Sequence, residues 1–243
     1  MGKKSSVALI VPCYNEAESI PAFGEELNDF VRRFESLRPG VSLSVIVVDN
    51  NSSDNSLELL RLLQKQLGCL SLEKCALKGY GAALKHGFSV ATADYLCFLD
   101  LDNTYPLISL VDLLNVLEAD GLDIVYGARI HRESDISVIR SLGNRFYVVL
   151  LKFLFNSKLS DVCSGMRLFK SSLKQEIIGL KTDGLSFSID FTAHALLNGW
   201  KISERPIHYR NRTGVSKLSV IFDGLNFLSV VVSNYLKNKS KNV

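Results

Sequence analysis

Short strand-like runs at residues 7–11, 43–48, 70–74 and 95–99 alternate with longer stretches whose apolar residues recur every three or four positions. Brief apolar runs bounded by turn residues read as strands covered on both faces, and the longer stretches read as amphipathic helices. Ile20, Phe23, Leu27, Phe30 and Phe34 set a first helix over about residues 18–37, closed by Pro39 and Gly40. Leu57, Leu60, Leu63 and Leu67 mark a second, residues 79–90 a third and residues 107–117 a fourth, ahead of a strand at 123–126. A βαβ series of this kind makes a parallel sheet with helices on both faces. With 243 residues, 47% of them apolar, the chain can bury one large core, so a single α/β domain is expected.

In open α/β sheets ligands bind beyond the carboxyl ends of the strands. That rule selects Tyr14, Asn15 and Glu16; Asp49 and Asn50; Lys78 and Gly79; Asp100, Leu101 and Asp102; and Gly127, Ala128 and Arg129. Carboxylates, a lysine, an arginine and a glycine on one edge suit a metal-bound diphosphate attached to a base and hydroxyls. Asp100 and Asp102 end a buried run abruptly. Hard cations such as Mg²⁺ and Mn²⁺ take oxygen ligands, and one or two carboxylates plus substrate phosphates satisfy them. Taken alone, an Asp-x-Asp reads first as a polar turn whose side chains cap the following helix, and only its company favours a metal site.

Composition excludes several classes. A net charge of +3 makes no case for nucleic acid. The five cysteines are odd in number and lack a Cys-x-x-Cys pair, which fits buried thiols in a reduced, cytoplasmic compartment. Residues 1–6 are polar and lead straight into a strand, without a signal-peptide pattern. The four histidines have no paired spacing that would suit zinc. Gly79 and Gly81 give half of a dinucleotide fingerprint, but Leu84 stands where its last small residue belongs, far from the first strand.

Six segments in order carry a resemblance: Val11-Pro12-Cys13-Tyr14-Asn15-Glu16, Val47-Val48-Asp49-Asn50-Asn51-Ser52-Ser53-Asp54, Lys78-Gly79-Tyr80-Gly81-Ala82-Ala83-Leu84, Asp100-Leu101-Asp102-Asn103, Ser164-Gly165-Met166-Arg167 and Arg212-Thr213-Gly214-Val215-Ser216-Lys217-Leu218. The chain resembles family 2 glycosyltransferases, and within them the polyprenyl- and dolichyl-phosphate sugar synthases, over residues 7–226. The resemblance implies a GT-A, Rossmann-like open sheet over residues 1–217, followed by an amphipathic, interfacial helix and basic tail over 218–243. It implies that Pro12, Tyr14, Glu16 and Asp49 line the base and ribose pocket, with Asn50 where the family often has a second acid. Lys78, Gly79 and Leu101 would border the nucleotide, and Arg212 and Lys217 would belong to a loop closing on the diphosphate. Asp100, Asp102 and Asn103 match the metal-binding stretch. Arg129, Arg140 and Asn144 match the place of the acceptor phosphate. Asp161 and Asp190 each read either as helix caps or as catalytic groups, a general base or a residue that positions the sugar.

Two apolar helical segments bear on the acceptor. Ile139, Leu142, Phe146, Val149, Leu150, Phe153 and Leu154 form one, carrying Arg140, Arg145 and Lys152. The other covers residues 218–236 and is interrupted by Asp223, Asn226 and Asn234, which reads as an in-plane membrane helix or core packing before a transmembrane span. Lys237, Lys239 and Lys241 follow it and suit an anionic membrane surface.

The resemblance thus implies an inverting transferase that moves a hexose from a nucleotide sugar, of GDP-mannose or UDP-glucose type, to a polyprenyl phosphate at the cytoplasmic membrane face. Membrane contact would be peripheral or supplied by an anchoring partner protein. The alternatives are transfer to a sugar or polysaccharide hydroxyl and a non-catalytic nucleotide-sugar-binding subunit.

Overall fold

Seven strands form one sheet in the order β3-β2-β1-β4-β6-β5-β7 in the computed structural model, which describes residues 5–129, 138–212 and 220–241. The strands are β1 (Ser5–Cys13), β2 (Val41–Asp49), β3 (Leu70–Lys74), β4 (Tyr95–Phe98), β5 (Ile124–Ala128), β6 (Arg167–Lys170) and β7 (Ile202–Pro206). Helices α1 (Ile20–Leu37), α2 (Ser56–Gln66), α3 (Tyr80–Val90) and α4 (Ser109–Ala119) occupy the stretches where the apolar spacing predicts them. Beyond them lie α5 (Val138–Phe155), α6 (Lys174–Ile178), α7 (Phe187–Leu197) and α8 (Val220–Lys241).

The continuous apolar strands follow from a sheet covered on both faces. Along β1, Leu9 and Val11 pack with Phe23 and Leu27 of α1 and Leu113 of α4, while Ala8 and Ile10 pack with Phe88 of α3 and Phe187 of α7 on the other side. Each fully buried side chain of this size contributes about 1.5–3 kcal/mol of hydrophobic stabilisation. Both layers are therefore needed to hold the strand ends that carry the polar residues.

One strand departs from the expected parallel series. β6 runs antiparallel to both β4 and β5, with Arg167 opposite Phe98 on one side and Tyr126 on the other. The consequence is topological. Because β6 starts where β4 and β5 end, the segment that precedes it, residues 161–166, is delivered to the same rim as Asp100 and Arg129. β7 runs parallel to β5, with Ala128 opposite Pro206, so the residues after it also emerge there.

α8 packs on both α5 and α7. Phe227 and Val231 are buried, the Tyr147 hydroxyl of α5 donates to the Gly224 carbonyl at 2.5 Å, and Asn234 Nδ2 donates to Asp190 at 2.8 Å. Among the described residues no helix is long and apolar enough to cross a membrane.

Candidate functional site

The first two strand ends are braced against each other. The turn after β1 donates its Asn15 N–H to Ser52 Oγ at 3.0 Å, its Glu16 N–H to Ser56 Oγ at 2.8 Å and its Ala17 N–H to Asp54 at 3.1 Å. The polar cluster after β2 therefore shapes the turn that presents Tyr14 and Glu16. Asp49 does not face the cleft as expected. Its carboxylate is buried and accepts the Ser52 N–H at 3.3 Å, and its neighbour Asn50 lines the wall instead. The Asn50 amide is itself committed: Oδ1 accepts the Gly79 N–H at 2.7 Å and Nδ2 donates to the Leu77 carbonyl at 2.7 Å. It shapes the loop that carries Lys78. Gly79 has φ +136 and a Cβ there would lie 2.1 Å from the Asp183 carbonyl oxygen, so that corner requires glycine.

Asp100 and Asp102 follow β4. Asp100 Oδ1 accepts the Tyr80 hydroxyl at 2.9 Å. Burial first, and the neighbouring Asp102 charge second, push the Asp100 carboxyl up to about 7. Asp102 is buried and is tied to Thr104 through its Oδ1, at 2.6 Å from the hydroxyl and 3.2 Å from the N–H, while its Oδ2 is 3.0 Å from Arg212 Nε. That last approach is an ion pair without the alignment of a hydrogen bond. Arg212 also stands 3.5 Å from Glu16. Asn103 donates from Nδ2 to the Ser19 carbonyl at 3.3 Å, and its Oδ1 is buried without a hydrogen-bond partner. Two carboxylates and an orphaned amide oxygen are an all-oxygen donor set, the kind a hard divalent cation takes. Among the described residues no three His, Cys, Asp or Glu side chains converge as a metal cluster, so such a cation would need further oxygens from its ligand.

Arg129 follows β5 and is engaged. Its Nε and Nη2 each donate to Asp161 at 2.7 Å, its N–H adds a third bond at 2.9 Å, and its guanidinium lies 5.5 Å from the Tyr209 ring centroid. Burial would raise the Asp161 carboxyl, but the charge and hydrogen bonds of Arg129 outweigh it and hold it below the usual carboxylate range. Asp161 is accordingly an anchor for Arg129 and has no free base function in this arrangement. Asp190 is elsewhere: its carboxylate accepts Thr182 Oγ1 at 2.9 Å and Asn234 Nδ2, tying α7 to α8. It does not line the cleft. Asn144 does, bracing the 160–163 loop through the Cys163 N–H at 3.3 Å and the Ser160 carbonyl at 3.4 Å. The Arg140 side chain and Lys217 lie outside the described residues.

Part of this set shares one cleft of about 640 Å³; Asp49, Asp102, Asn103 and Asp190 are not in its wall, Asp102 and Asn103 lying directly after the strand end that presents Asp100 and Leu101. Pro12, Tyr14, Glu16, Lys78 and Gly79 line one part of its wall, and Asp100, Leu101 and Arg212 also contribute. Arg129 lines it too, with Asn144 and Tyr147 of α5 and Gly224 and Phe227 of α8. The sequence reading left Tyr80, Tyr105, Tyr209 and Arg167 without roles. Arg167 is fully buried between the rings of Tyr126 and Phe191 and donates to the carbonyls of Ser164 and Val162, fixing the segment that carries Asp161. A charged residue opening an apolar strand was the available signal.

The sequence profile of glycosyl transferase family 2 matches residues 8–178. Among curated proteins, the chain is 28% identical over 219 residues to the dolichyl-phosphate hexose transferase of Haloferax volcanii, covering 90% of this chain and 89% of that one. It is 25% identical over 178 residues to the undecaprenyl-phosphate 4-deoxy-4-formamido-L-arabinose transferase of Yersinia enterocolitica, covering 72% of this chain and about half of that protein, 52%. Its fold is similar to glucosyl-3-phosphoglycerate synthase from Mycobacterium tuberculosis, crystallised with Mn²⁺ and UDP-glucose, with a TM-score of 0.72 at 16% identity over 95% of this chain and 79% of that one.

Proposed function

The chain belongs to glycosyl transferase family 2, and from that premise we propose that it transfers a hexose from a nucleoside diphosphate sugar to a polyprenyl phosphate, inverting the anomeric carbon. The observation that carries this reading is the single cleft, whose wall joins Pro12, Glu16, Lys78 and Asp100 to Arg129, Asn144 and the α5–α8 pair. The acceptor class is supported by relatives named for transfer involving dolichyl and undecaprenyl phosphates.

Pro12, Tyr14 and Glu16 would hold the nucleoside, on a floor shaped by Asn50 and the buried Asp49. Lys78, Gly79, Leu101, Arg212 and Lys217 would border the diphosphate. Asp100, Asp102 and Asn103 would hold Mg²⁺ or Mn²⁺, which supplies Lewis-acid assistance to departure of the nucleotide. Arg212 and Lys78 would add electrostatic stabilisation as the diphosphate leaves.

An acceptor phosphate is already anionic and nucleophilic, so it needs cations and orientation more than a base. Arg129 suits that task because Asp161 fixes its plane through Nε and Nη2, leaving Nη1 for an anion. Arg140 and Asn144 would complete the phosphate site from α5. A hydroxyl acceptor would call for a free base, and the engagement of Asp161 by Arg129 and of Asp190 by Thr182 and Asn234 weighs against it. The carboxylate pair weighs against a non-catalytic subunit.

Membrane contact would be peripheral. Leu142, Phe146, Val149 and Phe153 form an exposed stripe on α5, and Phe222, Leu225, Val232 and Leu236 form one on α8. Lys152, Lys237 and Lys239 supply charge for an anionic surface, and the five free cysteines suit the cytoplasmic face. With these stripes the proposal needs no separate anchoring partner.

The test is turnover. Purified protein given GDP- or UDP-hexose, Mg²⁺ or Mn²⁺ and polyprenyl phosphate should release nucleoside diphosphate and place labelled sugar in the lipid extract. Labelling of a polyprenol or a free sugar in preference to the lipid phosphate would overturn the acceptor assignment.

A further inference from the structure

A buried carboxylate that must receive a ligand is useful only if its plane is fixed, and both oxygens of Asp100 are restrained from outside its own strand. On one side, Oδ1 accepts the hydroxyl of Tyr80, the first residue of α3. On the other, Oδ2 lies against the Cα of Gly165: a Cβ built there would stand 2.5 Å from Oδ2 and 3.0 Å from Cγ. Gly165 cannot yield easily. Its N–H donates to the Tyr105 hydroxyl at 2.6 Å, and the Tyr105 ring packs edge-on against Tyr209 at 5.2 Å. Beside it, the Ser164 hydroxyl donates to the Gly127 carbonyl at 2.6 Å, which ties the segment to the end of β5.

We propose that Tyr80 and Gly165 form a clamp that sets the orientation of the Asp100 carboxylate for a divalent cation, Tyr80 acting as a positioning residue. The proposal rests on the reading of Asp100 and Asp102 as cation ligands. Its physical basis is that groups hydrogen-bonded to metal ligands govern affinity by orienting them, with losses of about 10–100-fold when they are removed. Tyr80 reaches the carboxylate from α3 and Gly165 from the entry to β6, so the two elements jointly determine the direction of one ligand. Glycine at 165 is then required chiefly by the carboxylate beside it, with the Tyr105 ring 3.1 Å from the same Cβ position, and not by its own backbone angles.

The test separates this role from general support of the fold. Tyr80→Phe removes one oxygen and keeps the ring. Binding of GDP and UDP is measured by calorimetry in EDTA and again with Mn²⁺, free Mn²⁺ is followed by electron paramagnetic resonance, and thermal melts report folding. Tyr80→Phe should leave nucleotide binding in EDTA within about twofold of wild type and weaken Mn²⁺ binding about tenfold or more. Gly165→Ala should lose Mn²⁺ binding at least as severely; if it fails to fold, Tyr80→Phe decides. Mn²⁺ binding by Tyr80→Phe within twofold of wild type, or an equal loss of nucleotide affinity with and without Mn²⁺, overturns the clamp. Absence of Mn²⁺ binding to wild type with either nucleotide would instead overturn the cation reading itself, and the clamp with it.

Discussion

Asp161 and Arg129 illustrate how a residue's partner decides its role. The depressed Asp161 carboxyl means that the folded state holds its ionised form more strongly than the unfolded chain does. The pair therefore contributes stability above the unfolded carboxylate value, near pH 4, and that contribution is lost as pH falls through the lower folded value. Asp161→Asn should cost about 3–5 kcal/mol at pH 7, because it strands a buried guanidinium. The gap in melting temperature from wild type should narrow on acidification below about pH 4, and a gap that stays constant to pH 3 would refute the linkage. A second expectation concerns Asp102, which faces Thr104 and Arg212. Asp102→Ala should leave a folded protein with turnover reduced at least about a hundredfold, and EDTA should do the same to wild type. Full activity in chelator-treated protein would remove the metal from the mechanism. The abrupt end of the apolar run made Asp100 and Asp102 stand out in the sequence, and of the two Asp100 lines the cleft. The burial of Asp49 was not legible there. Consecutive residues at a strand end face opposite sides, so a shift of one position exchanges which of Asp49 and Asn50 lines the cleft.

At the scale of elements, the helices with a one-sided apolar pattern were legible and those without it were not. α1 buries Ile20, Phe23, Leu27, Phe30 and Phe34 on one stripe. α7 buries Phe187, Ile189, Phe191, Ala193 and Ala195 and has no polar face to set its period, so nothing in the sequence marks its orientation. The direction of β6 was equally hidden, because four residues carry no signal that separates parallel from antiparallel pairing. That missed reversal is why the path of residues 161–166 into the site could not be derived from strand order. α5 offers a test of the exposed stripes. Phe146 is 53% and Phe153 85% exposed, so serine at both should cost little folding stability. Burying each phenyl ring in an interface is worth about 1.5–3 kcal/mol. The double variant Phe146→Ser, Phe153→Ser should therefore co-sediment with anionic liposomes at least about tenfold less than wild type, with nucleotide binding unchanged. Equal sedimentation would refute membrane contact through the α5 stripe.

For the whole molecule, the central position of β1 makes the two layers interdependent. Leu9 is completely buried in one layer and Ile10 in the other, so a cavity made at either is felt by strand ends on the same rim. Leu9→Ala should lower unfolding stability by about 2–5 kcal/mol and shift the denaturant midpoint as one cooperative transition. A separate early transition would instead mean that the layers unfold independently. The α5–α8 pair carries a further implication. The cleft reaches Tyr147 and Phe227, and other faces of the same two helices are the apolar stripes, so the cleft and the surface proposed to meet lipid are fixed to one another. On the proposed peripheral mode, such an enzyme would sample its acceptor in two dimensions: once adsorbed, its rate would follow the mole fraction of lipid phosphate in the bilayer and not the bulk amount, so neutral lipid added at constant acceptor would slow it by dilution of the surface.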